Sequence, residues 1–225
     1  MMKNLITLIF SILISFQSLA EFKPDYTEGL MAYMKKDYET ALLHFVTLAN
    51  GGDADAQYAV GEMYDTGVGV LENDKTAMKW YIKAAEQGLA HAQYNLALIY
   101  DTGSGVLEND KTATKWFTKA ADQGFAKAQY NLGLRYELGV GVLENDKTAV
   151  YWYTKSAKQK HAKAQGKLGF MYARGTGVLT SDIKAYMWFD LAAYNGDKDA
   201  ATAKDSITKR MTNEQIAKAQ ELSQQ

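Results

Sequence analysis

The sequence has no cysteine and a single proline in 225 residues. Without cysteine there is no disulfide framework, Cys-ligated metal, iron–sulfur cluster or thiol nucleophile. One proline argues for helices and against a many-turned β-sandwich. No large charge of either sign is present: the formal net charge is -1, so there is no global basic footprint for nucleic acid. Histidine is scarce. His44, His91 and His161 share no spacing and no His-Glu-x-x-His pattern, and neither a Gly-x-Ser-x-Gly elbow nor a Ser-x-x-Lys motif with a Ser-Asp-Asn partner occurs. No catalytic residue, cofactor site or metal site is therefore assigned. What remains, 47% hydrophobic and 23% charged residues, is the composition of an ordinary globular chain.

The first twenty residues differ from the rest. Lys3 precedes an apolar run from Leu5 to Phe16, and Ser18-Leu19-Ala20 forms a small-x-small step before Glu21. This is the pattern of a cleaved secretory signal peptide, with an apolar stretch short of the ~20 residues a spanning helix needs. The expected product starts at Glu21 and resides in the periplasm or is secreted, with no stable insertion in a membrane.

A 36-residue step dominates the remainder. Ala56, Ala92, Ala128, Ala164 and Ala200 form one column, and Tyr64, Tyr100, Tyr136 and Tyr172 another. Gly67, Gly103, Gly139 and Gly175 keep the step, as do Gly69, Gly105, Gly141 and Gly177, and Trp80, Trp116, Trp152 and Trp188. Leu71-Glu72-Asn73-Asp74-Lys75-Thr76-Ala77 recurs unchanged at Leu107–Ala113 and Leu143–Ala149. A fixed step of this length is the signature of a solenoid. Each unit reads as two helices. The first, near Ala54–Asp65, carries Ala56, Val60, Gly61 and Tyr64 on one face and ends at Gly67. The second starts near Asp74 as its cap, buries Ala77, Trp80, Tyr81, Ala84 and Ala85, and ends at Gly88. One such hairpin cannot bury its stripe, but a stack can. The prediction is an all-α, right-handed α-solenoid: a short unit at 21–53, four units over 54–196, and capping helices over 197–225, the last started by Thr212 or Asn213. The Gly-x-Gly loops follow a helix rather than a strand, so they are read as structural and not as phosphate loops.

These columns resemble the Sel-1-like repeat family, a relative of the tetratricopeptide repeat, with the pattern A-x-x-x-L-G-x-x-Y-x-x-G-x-G-V, a polar loop, A-x-x-W and A-A-x-x-G. The second unit matches from Ala92 to Gly124, with Ala97 in place of the usual Gly. The third has Ser156-Ala157 and Lys160 in place of Ala-Ala and Gly, and the fourth has Gly166 where earlier units have Tyr. The short first unit resembles a plain tetratricopeptide repeat. The resemblance implies a binding scaffold with a protein or peptide partner. Bacterial members are often envelope or secreted proteins, and some cysteine-rich ones are linked to penicillin binding, which this cysteine-free chain does not inherit.

If the first helices line the concave face, as in tetratricopeptide repeats, three columns share one groove. Tyr58, Tyr94 and Tyr130 are aromatic; Leu98, Leu134 and Phe170 are apolar; Asp101 and Glu137 are acidic. Such a strip suits a peptide with apolar anchors and flanking bases. The competing reading packs part of each column between neighbouring repeats. A second candidate surface is basic. Seven cations and no acid lie between Asp146 and Asp182, including Lys155, Lys158, Lys163 and Lys167, a docking patch for an acidic partner if it is more than a solvated face. The functional expectation is an exported, non-enzymatic interaction scaffold or regulator. The alternatives are a stoichiometric inhibitor or immunity protein against an envelope-targeted toxin and, less well supported, an envelope hydrolase.

Overall fold

The computed structural model describes residues 22–224, so the signal-peptide expectation for residues 1–20 lies outside the described residues. Twelve α-helices and no strands occur among them. The short unit is α1 (Tyr26–Met34) and α2 (Tyr38–Asn50). The four long units are α3 (Ala54–Thr66) with α4 (Asp74–Glu86), α5 (Ala90–Thr102) with α6 (Asp110–Asp122), α7 (Ala126–Leu138) with α8 (Asp146–Lys158), and α9 (Ala162–Arg174) with α10 (Asp182–Tyr194). They are followed by α11 (Lys198–Thr208) and α12 (Asn213–Ser223). Each helix packs on the next in sequence up to α11, giving an all-α solenoid with nearest-neighbour contacts.

The loop inside each long unit explains both glycine columns. Gly67 ends α3 in the left-handed conformation (φ 67°), where its N–H donates to the Met63 carbonyl. The second glycine also has positive φ, and it has no room for a side chain. A Cβ on Gly141 would lie 2.4 Å from the Asp110 carbonyl oxygen, because the loop of one unit rests on the start of the preceding unit's second helix. The cap of that second helix differs from expectation. Asn73, not Asp74, holds the N-cap position, and its Oδ1 accepts from Thr76 N at 2.9 Å. Asn73 N–H donates to Tyr64 O at 2.8 Å, which pins it in an extended conformation and leaves Asp74 as the first helical residue, facing the positive end of the helix dipole. Asn109 and Asn145 repeat the arrangement.

The core is centred one residue beyond the tryptophans. Tyr81, Phe117, Tyr153 and Phe189 are at most 1% exposed, whereas Trp80, Trp116 and Trp188 are half-buried and only Trp152 is buried. The expected tryptophan core is thus corrected. One residue is a rotation of about 100° around a helix, which moves the indole to the flank of the stripe formed by Ala77, Tyr81, Ala84 and Ala85. There its outer face carries a lysine: Lys83 Nζ lies 4.1 Å from the Trp80 ring centroid and Lys119 Nζ 3.9 Å from that of Trp116. The central aromatic presses on the glycine of the partner helix. A Cβ on Gly133 would fall 2.6 Å from the Tyr153 ring, and Gly29, Gly61 and Gly169 meet Phe45, Tyr81 and Phe189 in the same way.

A polar ladder runs through this apolar stack. Buried Gln57, Gln93, Gln129 and Gln165 each donate to the carbonyl of Ala49, Ala85, Ala121 and Ala157 at 3.1 Å. In turn Gln87, Gln123, Gln159 and Asn195 donate back to those same Gln side chains at 2.8–2.9 Å. Each rung joins one unit to the next, and no buried side-chain polar atom among the described residues lacks a partner.

The ends depart from the repeat. Only Lys35, Lys36 and Asp37 join α1 to α2, against seven residues between α3 and α4. At the other end α12 packs across α10 rather than pairing with α11. Ala219 is buried there, Gln220 Nε2 donates to the Tyr186 hydroxyl at 3.3 Å, and Ser223 Oγ to Asp190 Oδ2 at 2.8 Å. Thr212 caps α12, in a reciprocal pair with Gln215.

Candidate partner-binding face

The tyrosine column belongs largely to the packing between units. Tyr94 lies 5.9 Å from Phe117, the core aromatic of its own unit, and 5.0 Å from Phe125, where the next unit begins. Tyr130 repeats this with Tyr153 and His161 at 5.8 and 4.9 Å, and Tyr58 with Tyr81 and His91 at 5.7 and 5.9 Å. All three are half-buried, and burial raises the hydroxyl pKa of Tyr94 and Tyr130 above its ordinary value. Leu98 and Leu134 are half-buried as well, each packed against a core cluster. The expected open aromatic and apolar strip is therefore corrected over repeats one to three. A ring at this position bridges two units and has one edge left for solvent.

The acidic column is also occupied. The Tyr81 hydroxyl donates to Asp65 at 3.2 Å, and that of Tyr153 to Glu137, which in addition holds Lys167 Nζ at 3.0 Å on both oxygens. In repeat two the core aromatic is Phe117 and has no hydroxyl to offer. There Asp101 pairs with the guanidinium of Arg135, which also reaches Asp110 Oδ1 at 3.1 Å and Thr114 Oγ1 at 3.3 Å. The idea of free carboxylates edging the groove fails for this reason: they serve the hydroxyls and bases of the array itself. Arg135 was not legible as a buried residue from its type alone, yet its signal was there. It interrupts the otherwise apolar column Met63, Ile99 and Met171, and Thr114 stands across from it where other units have Met78 and Val150.

An open concave surface does exist, but toward the C-terminal end. The first helices of repeats three and four and α11 wall a cleft of about 710 Å³ containing Tyr130, Glu137, Lys163, Lys167, Phe170 and Arg174. Beyond Phe170 a second hollow of about 550 Å³ continues over Ala173, Phe189, Ala203 and Ile207. Phe170 is 37% exposed, with its ring edge-on to Phe189 at 4.9 Å and the Arg174 guanidinium 5.5 Å from its centroid. Two surfaces that the sequence set apart, the groove and the basic stretch, meet here. The basic stretch itself divides. Lys163 and Lys167 enter the cleft from α9, whereas Lys155 and Lys158 lie on α8, Lys155 over Tyr151 and Trp152 at 4.8 and 5.0 Å. No group of three or more His, Cys, Asp or Glu side chains among the described residues is arranged to hold a metal ion, and none of their helices is long and apolar enough to cross a membrane.

The family is settled by comparison. The Sel1 repeat model matches four consecutive segments, residues 54–89, 90–125, 126–161 and 162–197, which together span well over half of the chain. The chain belongs to the Sel1 repeat family. Among solved structures, a Sel1 repeat protein from Oxalobacter formigenes is 37% identical over 80% of this chain and 74% of its own, with a TM-score of 0.76. The protective antigen c5321 of uropathogenic Escherichia coli, described as an SLR fold, is 30% identical over 88% of this chain, which spans 51% of that one, with a TM-score of 0.59. The immunity protein Pa5087 of Pseudomonas aeruginosa shares the fold at 16% identity over 91% of this chain and 84% of its own, TM-score 0.52. No curated protein matches the chain. Sel1 repeat proteins are in general protein-interaction scaffolds.

Proposed function

We propose that this Sel1 repeat protein is an exported, non-catalytic scaffold that binds a protein partner in the groove formed by α7, α9 and α11. The observation that carries the reading is Phe170, a large apolar side chain left more than one-third exposed between two adjoining hollows. Tyr58, Tyr94 and Tyr130 on the preceding first helices are stacked between units, whereas Phe170 keeps apolar surface inside a hollow that a partner can cover. A groove of this length suits a segment of chain rather than a small molecule. Lys163 and Arg174 on its rim favour a segment carrying acidic residues. Export follows from the pattern of residues 1–20 and places the encounter in the periplasm or outside the cell.

The test is photo-crosslinking in the native host, with a benzophenone amino acid at position 170 and, as a control, at Tyr194, an exposed residue on α10. A specific adduct from position 170, absent from 194, is the expected result. Adducts from 194 alone would move the binding surface off the groove. If the adduct contains a toxin, the role is that of a stoichiometric inhibitor; a subunit of an envelope assembly makes it an adaptor. Intact mass of the protein recovered from the periplasm should show the loss of residues 1–20, and a membrane-bound species retaining them would contradict export.

A further inference from the structure

In the short unit and the first three long ones, a tyrosine of the first helix lies against the core aromatic of its own unit: Tyr26 on Phe45, Tyr58 on Tyr81, Tyr94 on Phe117, Tyr130 on Tyr153. In the second and third long repeats its other side stacks on the ring that opens the following unit, Phe125 or His161. The fourth repeat breaks both halves of the pattern. Gly166 takes the tyrosine position and Asp197 the position of Phe125 and His161, 36 residues on in each column. Asp197 has turned to α11, where Oδ1 caps the N–H groups of Asp199 and Ala200 at 3.1 and 3.2 Å. Its Oδ2 faces Gly166, 2.7 Å from where a Cβ would stand. Both residues line the 710 Å³ cleft. The neighbouring Phe170 takes over the contact with Phe189, and the cleft stays open beside it.

We infer that this gap is a slot for an aromatic side chain of the partner, which completes the stack that the fourth repeat leaves open. The inference rests on the groove reading above and names what the groove selects. The occupant follows from the array itself, because the equivalent space at the neighbouring junctions is filled by a tyrosine ring. The flanking chemistry follows from charge. Lys167 is neutralised by Glu137, and Lys163, Arg174 and Lys198 remain around the cleft against two carboxylates, Asp199 and the capping Asp197, a small positive excess. None of those three cations makes an ion pair among the described residues. The partner is thus a peptide segment in which an aromatic residue is bracketed by carboxylates.

The probe is a fluorescein-labelled peptide, Asp-Asp-Tyr-Asp-Asp, blocked at its C-terminus and titrated by anisotropy against the purified protein. Replacing its tyrosine by leucine should weaken binding at least tenfold, as removal of a central aromatic anchor does. Gly166→Tyr with Asp197→His rebuilds the junction of repeat three inside repeat four. That variant should melt no lower than the parent and lose the peptide at least tenfold. Equal binding of the leucine peptide, which leaves the protein untouched, overturns the slot; so does undiminished binding by the rebuilt variant. Lysine in place of the flanking aspartates should abolish the signal, and unchanged affinity would remove the charge argument. If the parent self-associates with rising concentration in sedimentation and the rebuilt variant does not, the slot's occupant is a second copy and the peptide assignment falls. A crosslink at position 170 combined with no tyrosine preference sinks the slot while leaving the groove reading intact.

Discussion

Arg135 offers a direct test of how a buried charge is held in this solenoid. Its side chain is 6% exposed, while its partners Asp101 and Asp110 are 38% and 42% exposed. The energetics should therefore be lopsided. In Arg135→Met the two carboxylates rehydrate where they stand, and the methionine restores the apolar column of Met63 and Met171. The expected cost is under about 1 kcal/mol, since well-packed apolar replacements of buried ion pairs are often neutral or stabilising. In Asp101→Asn/Asp110→Asn the guanidinium loses both counter-charges and is left with neutral acceptors: the two new amide oxygens, the residue-110 and Val140 carbonyls at 3.3 and 3.4 Å, and the Thr114 hydroxyl. A buried cation stripped of its counter-ions costs about 3–5 kcal/mol. Repeating the double Asn substitution in the Arg135→Met background should cost no more than about 1 kcal/mol, most of it the lost interaction of Asp110 with the α6 dipole, which is common to both backgrounds. The coupling across the cycle is then about 2–4 kcal/mol. Urea titrations followed by helical circular dichroism give the four values, with the slopes compared to check that unfolding stays cooperative along the array. The reasoning fails if Arg135→Met costs more than the carboxylate pair, or if the two costs simply add.

Three further outcomes are expected. Phe117→Ala should destabilise by about 3–5 kcal/mol and Trp116→Ala by clearly less, because Phe117 is buried and Trp116 is half-covered; reversed denaturation midpoints would return the tryptophan to the core. Gln129→Leu should cost about 1 kcal/mol in the same assay, since it removes two side-chain hydrogen bonds of the ladder while Ala121 O keeps the Gly124 N–H and the Gln159 amide keeps the Gly124 carbonyl, and a shift below 0.5 kcal/mol would make the rung ornamental. Burial, and then the charges of Lys163 and Lys127, lower the pKa of His161, whose neutral Nδ1 accepts from Ala164 N–H at 3.3 Å against the Tyr130 ring. The unfolded chain then binds the proton more readily, so this contribution is complete above the ordinary histidine pKa near 6.5 and falls as the pH drops through the lower native value. Melting temperature between pH 7 and 5 should decline less steeply in His161→Asn, which keeps an acceptor for the cap, and parallel curves would refute the assignment.

Much of the architecture is present in one dimension because a solenoid is nearly one-dimensional. A 36-residue step in Ala56, Tyr64, Gly67 and Gly69 specifies a hairpin that can bury its stripe only against copies of itself, so the repeat, the helix lengths and the all-α class follow from spacing alone. Loop chemistry follows too, since Gly67 answers a left-handed backbone wherever the chain is read. What spacing could not decide is which neighbour each side chain meets. Trp80 and Tyr81 are adjacent in sequence and similar in character, and only the crossing of α3 over α4 puts Tyr81 against Gly61 and leaves Trp80 on the flank with Lys83. The Gln57 and Gln87 columns keep the same step as the glycines, but a glutamine pattern carries no sign of burial until its partner thirty residues away is seen on the same rung. The acidic column looked free because its partners, the Tyr81 and Tyr153 hydroxyls and Arg135, come from another helix. The cleft itself exists only in three dimensions. It opens where Gly166 takes the place of a tyrosine and Asp197, thirty-one positions on, that of the Phe125 and His161 rings, and the packing of α9 against α11 brings the two together in one lining.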